Sequence, residues 1–226
     1  MAVRPYFRLG NAQDSFFEQE DGEFKFSPGF APSQKKKNVH ALHDVIRSKF
    51  KQAKILEIST KSDDALGVNL SAFNLTWEVD GRSYPVECIF QGCKVFQNGG
   101  PFKDIILKKP LDAKRDIRLK ESGELTGFKF RKEWWPLSPK SCFYDFIYIQ
   151  ALKSHPELMD EILAYDTFTD IEFNPNKSIN CQARSVAIFV TLSKFNLLDE
   201  YLSSQANFLR LYDKRIVDSQ GELSIA

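Results

Sequence analysis

Three polar residues fall inside an otherwise apolar segment, and their types could carry acid–base and nucleophilic chemistry. Glu87, Gln91 and Lys94 occur in residues 84–96, which read YPVECIFQGCKVF. A helix that opens at Pro85 and covers about 86–97 would place Glu87 and Gln91 at i and i+4, with Lys94 on the same face at i+7. A carboxylate can act as a general acid or base, and a desolvated lysine can act as a nucleophile. The alternative is a solvated Glu–Lys face, which would contribute little.

A second polar group lies in residues 173–184, which read FNPNKSINCQAR. This composition predicts a turn-rich loop that leads into the N-terminus of a helix, where backbone N–H groups can hold a phosphate. Asn180 and Arg184 are the candidate substrate-binding residues in this segment. A loop that only caps the helix is the alternative.

Two adjacent tryptophans form a third candidate. Trp134 and Trp135 precede Pro136 and look exposed. An aromatic ring beside a nucleotide site can stack on a base, which makes Trp135 a candidate substrate contact. Packing in the core is equally consistent with the composition.

The composition excludes several other kinds of site. Nucleophile-elbow, Walker and dinucleotide-binding motifs are absent, and three histidines argue against a His-based triad. His40 and His43 read as a surface pair. The four cysteines match no zinc spacing, so we expect separately buried thiols, no metal and no cofactor. A net charge of +1 means that any DNA binding depends on a local patch or on a tight grip of one base.

The location of the protein is predicted from what the chain lacks. The N-terminus has no signal-peptide pattern, and no stretch approaches the roughly 18 apolar residues of a membrane span. We therefore expect an intracellular, cytoplasmic protein with reduced thiols and no membrane partner.

Helices and strands must position these residues, and their predicted order indicates an α+β class. We expect a mainly helical single domain with a small β-sheet. We expect an irregular N-terminal aromatic arm at 1–34, a catalytic domain at 35–205 and a C-terminal tail at 206–226. Helices are predicted at 35–50, 86–97, 111–121, 142–153, 156–164 and 182–203. Strands are predicted at 55–58, 70–79 and 127–130, with Asp80-Gly81 as a hairpin turn.

The chain resembles NADAR (YbiA-like) domains over roughly residues 53–175. The resembling motifs are Ser59-Thr60-Lys61-Ser62-Asp63-Asp64, Gly67, Leu70-Ser71-Ala72-Phe73-Asn74, Asp80-Gly81-Arg82-Ser83-Tyr84-Pro85, Glu87, Phe90-Gln91, Lys94, Ala113-Lys114-Arg115, Trp135 and His155-Pro156-Glu157-Leu158. The helix with Glu87, Gln91 and Lys94 is the most specific of them. The resemblance implies a YbiA-like fold and makes Lys61, Ser71 and Asn74 further candidate site residues.

The whole chain is similar to a narrower group, the NADAR antitoxins associated with DarT-type DNA ADP-ribosyltransferase toxins. The motifs that carry this similarity are at 90–96, 98–101, 168–175 and 177–185. General NADAR domains end with an Asp and a Trp-Gly, whereas this chain reads Lys177 to Arg184 in that region, so no role of that Asp is carried over. The resemblance implies hydrolysis of the N-glycosidic bond between ADP-ribose and guanine in DNA, with a DarT-type toxin as a partner.

In that reaction Glu87 would supply acid–base or electrostatic help, and a lysine amine could capture the opened sugar as a Schiff base. Lys94 is flanked by apolar residues, which favours it as the amine. Lys61 precedes two aspartates and is left as a phosphate or ribose contact, although the roles could be exchanged. Two alternatives stay open: a non-catalytic antitoxin that binds the toxin or the modified DNA, and a glycosidase of a small-molecule riboflavin intermediate.

Overall fold

The computed structural model describes residues 1–29 and 31–213. The strands are β1 (Ala2–Leu9), β2 (Phe17–Phe24), β3 (Ile55–Glu57), β4 (Thr76–Val79), β5 (Arg82–Pro85), β6 (Lys94–Phe96), β7 (Leu125–Phe130), β8 (Glu133–Trp135) and β9 (Thr167–Thr169). The helices are α1 (Pro32–Lys49), α2 (Ala65–Asn69), α3 (Val86–Gly92), α4 (Pro110–Lys114), α5 (Arg118–Glu121), α6 (Cys142–Lys153), α7 (Pro156–Leu163), α8 (Gln182–Lys194), α9 (Leu198–Leu202) and α10 (Gln205–Leu209). Short 3-10 helices occur at Lys103–Leu107 and Arg210–Tyr212.

This mixture of helices and small sheets confirms the predicted α+β class. None of the helices in the described ranges is both long and apolar enough to cross a membrane. The predicted tail at 206–226 is described only as far as residue 213, and the rest of it lies outside the described residues. The division into an arm, a catalytic domain and a tail stays a prediction.

One compact unit combines residues 1–71 with the described chain from Pro156 onward. Its sheet has the strand order β2-β1-β9-β3, in which β1 is antiparallel to both neighbours and β3 is parallel to β9. The apolar stripe of α1 packs Leu42 and Ile46 against Tyr6 and Phe24 of the N-terminal strands. The stripe predicted from the 3–4 spacing therefore does form a core face.

The predicted irregular structure at 1–34 is wrong, because β1 and β2 form a hairpin that belongs to this sheet. Buried residues run consecutively in β1 at Pro5, Tyr6 and Phe7, so the alternation that marks a half-buried strand is missing. The strand β1 also pairs with β9, more than 150 residues further along the chain, which no local pattern can reveal.

The other compact unit is residues 72–155. It contains the β4–β5 hairpin, which turns at Asp80-Gly81 as predicted, and a sheet with the order β6-β7-β8. The helix α6 was predicted at its observed bounds. Aromatic side chains fill the core of this unit, with Phe143 at 4.7 Å from Phe128 and 5.6 Å from Trp135 between ring centroids.

Several predicted elements are shorter than expected. The strand predicted at 70–79 is restricted to β4, and the helix predicted at 86–97 ends at Gly92. The helix predicted at 111–121 is divided into α4 and α5, and the helix predicted at 182–203 into α8 and α9. The last break falls at Asn196, whose positive φ of 56° is incompatible with a continuing helix.

Candidate active site

The helix α3 carries Glu87 and Gln91, and each of its residues is buried. Glu87 is 7% exposed and Gln91 is 6% exposed. On another side of the helix, Cys88 packs against Ile105 and Ala113. The solvated-face alternative is therefore wrong for Glu87 and Gln91. Burial of a carboxylate and an amide is costly unless hydrogen bonds compensate for the lost water.

A hydrogen bond fixes the orientation of both side chains. Gln91 Nε2 donates to Glu87 Oε1 at 2.9 Å, which is the predicted i, i+4 contact. Because the amide NH₂ faces the carboxylate, Gln91 Oε1 faces away from it. Over residues 1–29 and 31–213, the buried Gln91 Oε1 has no hydrogen-bond donor. A buried acceptor without a donor is unfavourable, so this oxygen marks a place where a donor of a bound molecule would be stabilised.

Lys94 does not lie on α3, so its predicted i+7 position on the helix face is wrong. The helix ends at Gly92, where an added Cβ would come within 2.5 Å of Ile106 Cγ1. Lys94 instead begins β6, where it pairs with Phe128 of β7.

Lys94 nevertheless lies in an environment that favours the neutral amine. Its Nζ lies 4.8 Å from the centroid of the Phe90 ring. Loss of hydration lowers the pKa of Lys94 to about 8, with Glu87 acting to raise it and Lys114 to lower it. With this pKa, about a tenth of the side chain is the neutral amine near pH 7. The unit therefore combines a buried carboxylate, an oriented amide and an amine that can react as a nucleophile.

The two tryptophans differ in environment. Trp135 is fully buried, with its ring 4.5 Å from Phe146 between centroids, whereas Trp134 is 49% exposed. Trp135 therefore packs in the core, which is the alternative interpretation. A base could stack on its ring only if Phe146 moved. Trp134 covers Gly127, where a Cβ would come within 2.3 Å of the indole.

Asn74 is exposed in the turn before β4 and belongs to the same unit as Glu87. Ser71 is buried at the end of the other unit, which also contains Lys61, Asn180 and Arg184. The predicted site residues are therefore distributed over both units.

Lys61, Asn180 and Arg184 lie near the carboxyl ends of β3 and β9. Lys61 follows β3, and its Nζ donates to Thr60 Oγ1 at 2.9 Å. The first residue of α8, Gln182, donates to the Ile58 carbonyl at 3.3 Å and so joins the helix to the loop that carries Lys61. Asn180 and Arg184, both half-buried, flank Gln182. The carboxyl ends of parallel strands are a common place for ligand sites.

Two acidic residues at this edge were missed by the sequence interpretation. Glu57 is 2% exposed and Asp170 is 4% exposed. Burial raises the pKa of Glu57, and burial together with the charge of Glu57 raises the pKa of Asp170 to about 7. Glu57 could have been noticed as a carboxylate inside the apolar strand Ile55-Leu56-Glu57-Ile58, but its partner is 113 positions away in the sequence and lies in no shared motif.

Features elsewhere in the described chain do not point to a metal site. All four cysteines are free and buried. No group of three or more His, Cys, Asp or Glu side chains that could hold a metal ion occurs in the described ranges. The His40–His43 surface pair is only half right, because His43 is buried and hydrogen-bonded to Thr169. A shallow pocket of about 500 Å³ lies near Lys54 and Tyr165, at the amino ends of β3 and β9, and none of the predicted site residues lines it.

Comparison with known proteins assigns the family. The sequence matches the family described as DarT1-associated NADAR antitoxin over residues 2–222, a range that includes every site residue discussed above. No curated protein matches the chain. The NADAR family is generally a glycosidase-type domain. The description of the matched family associates it with the DarT1 toxin. The chain, with its buried Glu87–Gln91 pair and its desolvated Lys94, therefore belongs to the family of DarT1-associated NADAR antitoxins.

Proposed function

We propose that the protein is an N-glycosidase that removes ADP-ribose from guanine in DNA and so reverses the mark of a DarT-type toxin. The observation that supports this most directly is the buried Glu87–Gln91 pair in the same unit as a lysine whose pKa is lowered to about 8. A glycosidase needs a group that reacts at the sugar carbon and a carboxylate that handles the proton or the developing charge. We propose a cytoplasmic location as well.

The proposed reaction begins at C1 of the ribose. The neutral amine of Lys94 attacks C1, the electron pair of the C1–N bond passes to guanine, and guanine takes up a proton. The C1–O4 bond then breaks as the lysine nitrogen forms a Schiff base with C1, and a proton passes from that nitrogen to O4. Water then adds to the Schiff base, which releases ADP-ribose and restores the amine. Only the neutral lysine can take the first step, so desolvation of Lys94 favours it.

Glu87 and Gln91 have separate roles in this proposal. The carboxylate of Glu87 stabilises positive charge that develops on the ribose and moves the proton during departure of the base. Gln91 holds Glu87 through one end of its amide and accepts a hydrogen bond from the substrate through Oε1, the buried atom without a donor in the described chain.

The remaining predicted residues are proposed as substrate-binding residues rather than as reactive ones. Lys61, Asn180 and Arg184 offer donors suited to phosphate and ribose oxygens, at the carboxyl ends of β3 and β9. Ser71 and Asn74 are proposed as further polar contacts. Of the two candidate lysines, Lys94 is assigned the nucleophilic role because its surroundings lower its pKa to about 8.

Turnover at substoichiometric protein tests the proposal. Protein at about one tenth of the concentration of an oligonucleotide ADP-ribosylated on guanine should release free ADP-ribose and unmodified DNA over many turnovers. Activity should persist with excess chelator, because the proposed chemistry uses side chains alone. Stoichiometric binding of the DNA or the toxin without product would instead favour a non-catalytic antitoxin. Turnover of only a small-molecule riboflavin intermediate would favour the other alternative.

A further inference from the structure

Glu57 and Asp170 are two buried carboxylates that the proposed reaction does not use. They lie at the ends of the adjacent parallel strands β3 and β9, where Glu57 pairs in register with Thr169. Carboxylates are rarely buried this completely without a compensating role, because removing their charge from water is costly. The hydrogen bonds that they accept show which segments they hold.

Glu57 joins the ends of the two strands. Its Oε1 accepts from Ser59 Oγ at 2.6 Å and from the Ile171 backbone N–H at 2.8 Å, and its Oε2 accepts from Thr169 Oγ1 at 2.6 Å. Ser59 Oγ in turn accepts from the backbone N–H of Lys61 at 3.1 Å. Glu57 thus holds the loop that carries Lys61 against the residues at the end of β9.

Asp170 joins the same edge to α8. Its Oδ2 accepts from Gln182 Nε2 at 2.9 Å, and its Oδ1 accepts from the backbone N–H groups of Glu172 and Phe173 at 3.1 and 3.2 Å. Gln182 is the first residue of α8, two positions from both Asn180 and Arg184. Asp170 therefore orients the start of the helix and the beginning of the loop that leads to it.

The two carboxylates also interact through their charges. The pKa of Asp170 is raised to about 7, first by burial and then by the negative charge of Glu57. Below about pH 7 the pair therefore retains one proton between the two groups, because ionising both would place two like charges in a buried site. The other titratable groups around the pair are His43 on α1, which contacts Thr169, Glu172 after β9, and Cys181 at the start of α8, whose own pKa is influenced by Arg184.

His43 does not compensate for the negative charge at this site. Thr169 Oγ1 donates its proton to Glu57, so His43 Nε2, at 2.9 Å from that oxygen, is the donor in their contact. Burial lowers the pKa of His43 to about 4, which keeps the imidazole neutral at neutral pH. His43 is therefore uncharged when the pair loses its last proton, and it does not stabilise the two carboxylates that result.

We propose that Glu57 and Asp170 are positioning residues that hold Lys61, Asn180 and Arg184 in place to bind the ADP-ribosyl group, and that they do so only while they share one proton. This inference rests on the proposed function, since ADP-ribose is taken as the bound group. Loss of the shared proton leaves two repelling carboxylates at the junction of the three segments. Affinity for ADP-ribose then falls as the pH rises through about 7, while the protein stays folded.

Binding of free ADP-ribose, measured by calorimetry between pH 5.5 and 8.5, tests the inference without requiring turnover. For the wild-type protein we expect a constant Kd below about pH 7 and weakening above it, by at most tenfold per pH unit. Asp170→Asn should bind equally at pH 6 and pH 8, because the amide cannot ionise. Glu57→Gln should bind roughly tenfold or more weakly at every pH, because the new NH₂ cannot accept a hydrogen bond and at least one of the three contacts is lost. Glu78→Gln, which changes an exposed carboxylate, should retain the wild-type pH dependence.

Other outcomes would overturn the positioning role. An Asp170→Asn variant that keeps the wild-type pH dependence, or a folded Glu57→Gln variant with wild-type affinity, contradicts it. A wild-type protein that turns over modified DNA but binds no ADP-ribose also contradicts it, and leaves the proposed function intact. Circular dichroism at each pH identifies a variant that has simply unfolded. With the modified oligonucleotide as substrate, the variants should raise KM and change kcat little, whereas loss of a catalytic group would lower kcat.

Discussion

Lys94 is subject to two opposing electrostatic effects, and their balance determines what the side chain can do. Burial favours the neutral amine, while the nearby Glu87 carboxylate favours the ammonium. The outcome, a pKa of about 8, keeps most of the side chain protonated at pH 7 but makes the neutral form accessible. An unperturbed lysine would have a neutral fraction hundreds of times smaller.

The pH dependence of turnover should reveal this lysine. If the neutral amine of Lys94 attacks the ribose, kcat should rise about tenfold per pH unit below about pH 8 and level off above it, whereas kcat/KM would also contain the loss of affinity expected above pH 7. The sign follows from the reactive form, which is the deprotonated one. The profile is measured with the modified oligonucleotide at saturating concentration. A rate that is flat from pH 6 to pH 9 would contradict the assignment.

Replacing Glu87 tests whether its carboxylate acts in catalysis or only stabilises the fold. Glu87→Gln keeps the size of the side chain and should lower the rate by about 10²-fold or more, the usual scale for acid–base assistance. Glu121→Gln, on an exposed position of the same unit, is the matched control and should turn over normally. A Glu87→Gln protein that unfolds at the wild-type temperature and retains the wild-type rate would remove Glu87 from the mechanism.

Borohydride added during turnover should trap the covalent intermediate. Reduction of the Schiff base would leave an ADP-ribose-derived adduct on the attacking lysine, and peptide mapping would locate it. We expect the adduct on Lys94, and none in a Lys94→Arg variant. An adduct on Lys61 would exchange the roles of the two lysines. If active enzyme gives no adduct, direct attack by water with help from Glu87 replaces the lysine mechanism.

At the level of single residues, local spacing found only part of the candidate site. The Glu87–Gln91 contact follows from i, i+4 geometry on a helix, so four residues of sequence were enough to predict it. Lys94 was placed on the wrong element, because the close contact of Gly92 with Ile106 cannot be read from the local sequence. Glu57 and Asp170 were missed because their relation exists only after β3 and β9 pair.

The elements themselves show the same division between local and distant determinants. The helix α6 was predicted at its observed bounds, since a nearly continuous apolar run between clear ends specifies it locally. The hairpin turn at Asp80-Gly81 was predicted for the same reason. The strand β1 was not predicted, and neither was its hairpin with β2, because β1 lacks alternation and its other partner β9 is distant in the sequence.

The short helix α2 provides a test of how tightly the loop after β3 is packed. A Cβ at Gly67 would lie 2.0 Å from the Glu57 carbonyl oxygen and 2.4 Å from Ser62 Oγ. Alanine gains up to about 1 kcal/mol of helix propensity over glycine. The clash should outweigh that gain, because a backbone oxygen cannot move as a flexible side chain can.

We therefore expect Gly67→Ala to destabilise the protein by about 1–3 kcal/mol in denaturant unfolding, the usual range for overpacking. Asn69→Ala, an exposed change in the same helix, should be neutral or slightly stabilising and serves as the control. A Gly67→Ala protein more stable than the wild type would show that the backbone of the loop relaxes easily.

The free energy of unfolding should depend on pH because the carboxylate of Asp170 is buried. Its pKa is raised to about 7 in the folded protein, from the ordinary value of 3.8. A raised pKa stabilises the folded state fully below the unfolded value, and the contribution is lost as the pH rises through about 7. The free energy of unfolding of the wild type, relative to Asp170→Asn, should therefore fall between about pH 4 and pH 7. Urea unfolding of both proteins at each pH measures this difference, and Asp160→Asn, an exposed change, should show no such trend.

The pairing of β9 between β1 and β3 has a consequence for the order in which the protein is made. A ribosome releases β1, β2 and β3 long before the strand that joins them, because Glu57 and Thr169 are 112 residues apart. At about 5–20 residues per second, the early strands wait several seconds for their partner. The edge that carries Lys61 and Arg184 is assembled only when the last third of the chain emerges, so a nascent or truncated antitoxin without β9 has no means of forming it.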